Sequence, residues 1–160
     1  MNKNIRLRVA AIVESEGRIL FNRQEIPGKE CAYSLMGGGL EAGESARECL
    51  VREFKEELDW NIDVGNLLYI SENIWLEEDP EDFNFNQKMQ EVCLYFYATL
   101  KESSIGKTPK TEEGHLWPGW FSEEEIEKDG KIFPPFLRER LFKDIKKEPS
   151  SEVEFFTDGF

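Results

Sequence analysis

Glu53, Glu56 and Glu57 stand at i, i+3 and i+4, spacings at which side chains on one helix are neighbours, so a helical segment here would gather three carboxylates on one patch. Like charges so placed repel and weaken their own helix unless something cationic sits among them. A hard divalent ion such as Mg²⁺ takes oxygen ligands of this kind, which makes the charge conflict a candidate metal site. The competing reading of the same residues is a solvated acidic helix face. Arg52, four residues after Glu48 and four before Glu56, is placed to orient carboxylates.

The element that must carry these groups is legible from its caps and period. Ser45 with Glu48 forms a capping box, and Ala46, Leu50, Phe54 and Leu58 recur every four positions, so an amphipathic helix is predicted from Ser45 to Leu58. Gly37, Gly38 and Gly39 precede it and Gly43 lies just before its start. Glycine permits a tight turn and close backbone approach to a ligand, and a helix N-terminus offers free N–H groups.

The full spacing is more specific than any of its parts. Gly38, five residues, Glu44, seven residues, then Arg52-Glu53-Phe54-Lys55-Glu56-Glu57-Leu58-Asp59-Trp60 resembles the Nudix box of the Nudix hydrolase superfamily. One box position departs, Asp59 standing where the motif has a late glycine. Asp tolerates the left-handed conformation that ends such a helix better than most residues do, so the cost falls on stability rather than chemistry. Met36, where many relatives have proline, lies outside the box proper.

Length and composition bound the rest. A chain of 160 residues fits a single domain over 1–160, with 151–160 a tail that is either an edge strand or a mobile end. Such a length buries about two thirds of the surface its unfolded chain exposes. With 20 basic and 33 acidic residues the formal charge is −13, which repels long nucleic acid and anionic membranes while leaving a small polyanion open, given metal ions and placed arginines. Cys31, Cys49 and Cys93 are odd in number and lack ligand spacing, so they read as reduced thiols of a cytoplasmic protein, Cys49 and Cys93 buried. The start MNKNIRLRV has no signal-peptide core, and no apolar run is long enough to span a bilayer.

Along the chain, Ile5 to Val13 and Gly17 to Phe21 read as a hairpin, and Ala32 to Met36 as a short strand entering the glycines. Arg8 and Arg23 lie on or near these strands and could reach a substrate phosphate, which a guanidinium matches bidentately. Trp60 to Trp75 reads as strand, turn at Gly65-Asn66, then strand. Leu76 to Lys88 is an acidic loop in which Phe83 and Phe85 could stack on a base or anchor the loop to the core. Met89 to Leu100 is the strongest strand, apolar on both faces, with Val92, Leu94, Phe96, Ala98 and Leu100 on one side. His115 to Phe121 is a final strand region interrupted by Pro118, and His115 is the only histidine. Ser122 with Glu125 caps a short helix ending near Gly130, and Pro134-Pro135 open another that carries Phe136, Leu137, Leu141, Phe142 and Ile145.

The resemblance implies an α/β (α+β) fold, the Nudix alpha/beta/alpha sandwich, with a mixed sheet and the box loop-helix at one edge. It implies that Glu53, Glu56 and Glu57 hold Mg²⁺, or Mn²⁺ as a substitute, with the Gly38 carbonyl as a further ligand. Glu44 then assists through water or orders the loop with Gly43, and Arg52 orients the carboxylates. The attacking water is activated by Glu53, by another box glutamate or by Glu91, a glutamate beyond the box at the stage of the chain where relatives often place a metal ligand or base. The implied activity is Mg²⁺-dependent hydrolysis of a nucleoside diphosphate linked to another moiety, a small-molecule nucleotide substrate, with Arg23, Arg8 and Phe83 as substrate-binding candidates. Two alternatives stay open: a non-catalytic nucleotide sensor, and diphosphate isomerase chemistry. A homodimer follows from family habit alone.

Overall fold

Val9, Ala11 and Val13 alternate with Ala10 and Ile12, and all five are buried, so the strand they form must be covered on both faces. That strand is β1 (Ile5–Ser15), and the computed structural model, which describes residues 5–78, 80–111, 114–147 and 152–158, places it at the middle of a curled, mixed sheet. The sheet continues through β2 (Arg18–Gln24), β3 (Cys31–Leu35), β4 (Gly37–Gly39), β5 (Ile62–Leu76), β6 (Lys88–Leu100), β7 (Pro118–Phe121), β8 (Gly130–Phe133) and β9 (Glu154–Asp158). Its main path runs β8-β3-β2-β1-β6-β5-β9, with β4 added beside β1 and β7 beside β2. β1 runs parallel to β6 from Ile5 opposite Gln90 to Val13 opposite Ala98, and β5 lies antiparallel on the far side of β6.

The two faces are closed by different helices. α1 (Ala46–Leu58) puts Cys49, Leu50, Phe54 and Leu58 against Val9, Ala11, Val13, Phe96 and Ala98. α2 (Glu123–Asp129) and α3 (Phe136–Asp144) bring Ile126, Leu137, Leu141 and Phe142 against Ala10, Ile12, Phe21 and Tyr95 on the other face. The outcome is the α+β sandwich expected, with a mixed sheet between helices. Among the described residues no helix is long and apolar enough to cross a membrane.

Several local expectations hold because their physical cause is local. Both capping boxes form, with Ser45 and Glu48 exchanging hydrogen bonds at α1 and Ser122 with Glu125 at α2. Asp59 closes α1 in the left-handed region at φ 53°, its N–H donating to Lys55 O, so it takes over the turn for which a glycine is usual. The two faces of β6 divide as its alternation predicts, Phe96 and Ala98 toward α1, Cys93 and Tyr95 toward α3.

Three segments differ. Ile62 to Leu76 is one continuous strand, not two; Gly65-Asn66 marks a bulge, and the register shifts between Val64 and Leu67 and again before Tyr69. A bulge absorbs extra residues without turning the chain, and Gly65 is needed because a Cβ there would lie 3.0 Å from the Tyr97 carbonyl oxygen. Gly37–Gly39 is not a free loop but strand β4, paired with Arg8, Val9 and Ala10. The strand near His115 begins only at Pro118, a first-strand position where the missing N–H is harmless, and it is not the last. β8 and β9 follow, the latter being the tail's alternating stretch docked parallel to β5; Pro149 and residues 151 and 159–160 lie outside the described residues.

Phe54 is fully buried and ties the acidic helix to the sheet. Phe54→Ala is expected to cost about 3–5 kcal/mol in a urea unfolding titration followed by Trp60 fluorescence, since deleting a core ring leaves a cavity that neighbours fill only in part.

Candidate active site

The glycine run positions α1 by contact rather than by flexibility. Gly37 adopts φ 150°, and a Cβ there would sit 2.0 Å from the Val9 carbonyl oxygen. At Gly38 the space a Cβ would occupy is filled by the Glu53 carboxylate, 2.1 Å from the ideal Cβ position at Oε1. The absent side chain is therefore the seat of a carboxylate, which ties the first box residue to the sixteenth. Gly39 supplies a carbonyl that accepts from Arg52 Nη2 at 3.2 Å.

Arg52 is the hub of the acidic patch. It grips Glu44 with two bonds, Nη2 to Oε1 at 2.7 Å and Nε to Oε2 at 3.0 Å. Its Nη1 donates to Glu53 at 2.8 Å and to Glu56 at 3.3 Å. Glu48 is not among these partners, since the capping box occupies it. The Arg52 guanidinium, with the Glu41 N–H, pulls the Glu44 carboxyl down to about 2. The same carboxylates push the Arg52 guanidinium further up, so it stays charged. Beneath it the Cys49 thiol is pushed up to about 12, chiefly by burial, and is inert as a nucleophile at neutral pH.

Beside this hub opens a cleft of about 880 Å³. One wall is Gly37–Gly39 with Glu53 and Glu57; the floor is Arg6 and Arg8 on β1, Glu91 and Tyr95 on β6 and Asn73 on β5. The remaining wall carries Trp75, His115, Leu116 and Phe133-Pro134-Pro135. Arg8 is oriented by a 2.9 Å bond from Nη2 to the Leu35 carbonyl, and Asn22 holds the 115–117 segment in place by accepting the Trp117 N–H at 2.7 Å. Gly38, Glu53, Glu57, Arg8 and Glu91 are thus brought together, Glu56 lies at the exposed end of the Arg52 network, and Glu44 and Gly43 lie behind it.

Two residues singled out in the sequence lie elsewhere. Arg23 is not part of the cleft lining; it is held by Asp129 at 2.7 Å, Glu25 at 2.8 Å and the Tyr33 hydroxyl at 3.2 Å, because side chains alternate along β2 and Asn22 and Gln24 take the cleft side. Phe83 is 89% exposed and outside the lining, with its loop folded on its own turns, as in the bond from Phe85 N to Asp82 O. Arg6 and Asn73 were missed. Arg6 had a signal, being two residues from Arg8 on a strand and so on the same face; Asn73 had none, since its place depends on the β5 bulge.

The donor set fits a hard divalent ion: Glu53 and Glu57 offer carboxylate oxygens on one wall of an open cleft, beside a glycine with no side chain to obstruct them. Among the described residues no three His, Cys, Asp or Glu side chains are gathered closely enough to hold an ion unaided. That agrees with the habit of Mg²⁺, which commonly takes one or two carboxylates and completes its shell with water and substrate phosphates.

A family model described as NUDIX domain matches residues 4–139. Over 50 residues the chain is 44% identical to an NAD-capped RNA hydrolase, NudC, of Pseudomonas aeruginosa, a stretch covering 31% of this chain and 16% of that protein. Over 58 residues it is 40% identical to the CTP pyrophosphohydrolase of Escherichia coli, covering 36% of this chain and 43% of that one. The matched stretches thus span less than half the length of these relatives. Among solved structures, an ADP-ribose pyrophosphatase from Streptococcus suis superposes with a TM-score of 0.63 at 17% identity over 95% of this chain and 99% of that one, a likeness of fold.

Glu44 titrates at about 2 in the folded chain against an ordinary 4.5. A depressed carboxyl contributes stability that is present above its unfolded value and lost as pH falls through its folded one. The stability advantage of wild type over Glu44→Gln, read as the difference in urea midpoints, is therefore expected to be full at neutral pH and to shrink between about pH 5 and pH 2.

Proposed function

The chain belongs to the Nudix family, and from that premise we propose that it is a Mg²⁺-dependent pyrophosphohydrolase cleaving the diphosphate linkage of a nucleoside diphosphate joined to a further moiety. The observation that carries this reading is the opposition, across one cleft, of the carboxylates of Glu53 and Glu57 and the guanidinium groups of Arg6 and Arg8. Phosphorus in a diphosphate is shielded by negative oxygens, so its hydrolysis needs charge neutralised, a leaving group held and a nucleophile supplied. A Mg²⁺, or Mn²⁺ as a substitute, held by these carboxylates would supply charge neutralisation and an activated water.

The chain's own residues then have separable roles. Glu53 and Glu57, with Gly38 in support and Glu56 at the rim, would hold the metal. Arg52 pairs with Glu53 and Glu56 and aims them while Glu44 anchors Arg52 from behind. Arg8, fixed by the Leu35 carbonyl, offers its remaining N–H groups to a phosphate. Glu91, or Glu53, takes the proton of the attacking water. The substrates in the names of the relatives, a capped RNA, CTP and ADP-ribose, are nucleotides with a phosphoric anhydride, and a net charge of −13 favours a small one over long RNA. The three cysteines are free thiols, which fits a reducing cytoplasm.

Hydrolysis of a panel of nucleoside triphosphates, nucleotide sugars and dinucleotides, with Mg²⁺ or Mn²⁺, tests this reading. Glu57→Gln is expected to lower kcat/KM by at least about 100-fold, roughly 2.7 kcal/mol of barrier, with an unchanged melting profile. Absence of turnover on every member, with nucleotide binding retained, would replace the enzyme by a sensor.

A further inference from the structure

Arg6, Glu91 and Asn73 form one row across three adjacent strands, Arg6 opposite Glu91 in the β1–β6 ladder and Asn73 opposite Glu91 in the β5–β6 ladder. All three line the cleft. Arg6 sits two residues before Arg8, hence about 6.6 Å along the strand on the same face, and Arg8 is opposite Gly39 beside the carboxylate wall. The guanidinium groups thus make a short cationic track leading away from Glu53 and Glu57.

Arg6 and Glu91 form an ion pair, Nε to Oε2 at 3.3 Å, with the Arg6 side chain 59% exposed and that of Glu91 only 16%. The asymmetry matters. A 3.3 Å pair to a mostly exposed guanidinium is weak, and a phosphate that engages the same guanidinium through two N–H groups outcompetes it. A largely covered carboxylate, however, does not give up its counter-ion without another cation to replace it. A diphosphate arriving with a divalent ion brings both partners at once, an anion for Arg6 and a cation for Glu91.

We propose that the Arg6–Glu91 pair is a latch exchanged on substrate binding: Arg6 leaves Glu91 for a phosphate oxygen, and Glu91 becomes available to the metal ion or the attacking water only in the loaded cleft. Arg6 is then a phosphate-binding residue, and before substrate arrives it also withholds Glu91 from free metal. The proposal deepens the pyrophosphohydrolase reading and rests on it for the identity of the ligand, a diphosphate with its metal.

The test needs no turnover. Wild type, Arg6→Gln, Arg6→Lys and the double variant Arg6→Gln/Glu91→Gln are titrated with imidodiphosphate in saturating Mg²⁺ and, separately, with Mn²⁺ alone. Arg6→Gln is expected to bind imidodiphosphate about tenfold more weakly, with Arg6→Lys recovering part of the loss. Substrate-free Arg6→Gln is expected to bind Mn²⁺ at least about threefold more tightly than wild type, a gain abolished in the double variant. Unchanged imidodiphosphate affinity in Arg6→Gln, or Mn²⁺ affinity equal to wild type, overturns the latch. Should both shifts occur while wild type hydrolyses no nucleotide, the latch stands and the pyrophosphohydrolase reading alone falls. Should wild type bind no imidodiphosphate, both fall.

Discussion

Four acceptors, the Glu44, Glu53 and Glu56 carboxylates and the Gly39 carbonyl, converge on the Arg52 guanidinium, and the acidic patch can exist only because they do. Without a cation among them, carboxylates at successive turns of α1 would repel and fray the helix that displays them. The rigid fork of arginine suits this place better than a lysine would, since two of its edges bond Glu44 in parallel while a third reaches along the helix. The patch is thus half neutralised before any metal arrives. Glu53 and Glu57 keep their place on the cleft wall, and the negative field of the patch is softened.

The rest of the architecture serves that arrangement. Phe54, Leu50 and Leu58 clamp α1 to the sheet on its apolar side, so the glutamates on its other side have a fixed distance to β1 and β4. The glycines are small for packing reasons as much as conformational ones: Gly38 yields its side-chain volume to Glu53, and Gly37 lets β4 press against the backbone of β1. On the opposite face, an aromatic cluster fixes the floor. Phe136 packs edge-on to Tyr95 at 5.6 Å and stacks on Phe156 at 4.4 Å, while the Tyr95 hydroxyl meets Ser71 in a buried hydrogen bond.

What could be read from the chain was whatever depends on near neighbours in sequence. The capping boxes at Ser45 and Ser122, the left-handed close at Asp59 and the two apolar faces of β6 are set within a few residues, and each took the form its spacing predicts. The box wall of the cleft was legible for the same reason, Gly38, Glu53 and Glu57 lying on one loop and helix. The floor was not, because it is set by which strands lie side by side. Arg8 and Arg23 are equivalent as arginines on neighbouring strands, yet one faces the cleft and the other an ion-pair network around Asp129. Asn73 reaches the floor only through the bulge at Gly65-Asn66, whose pattern in the sequence is that of a turn.

The parallel pairing of β1 with β6 also orders events in time. Ile5 lies opposite Gln90, 85 residues further on, and no short hairpin can bring the two together. Residues 46–58 are synthesised well before β6 leaves the ribosome, and loop-closure entropy must be met before the long-range β1–β6 ladder repays it. Until then Arg6 and Glu91 belong to separate pieces of chain. The cleft is consequently complete only once that long-range ladder has closed, since its floor is shared among β1, β6 and β5 and the box loop and helix supply one wall alone.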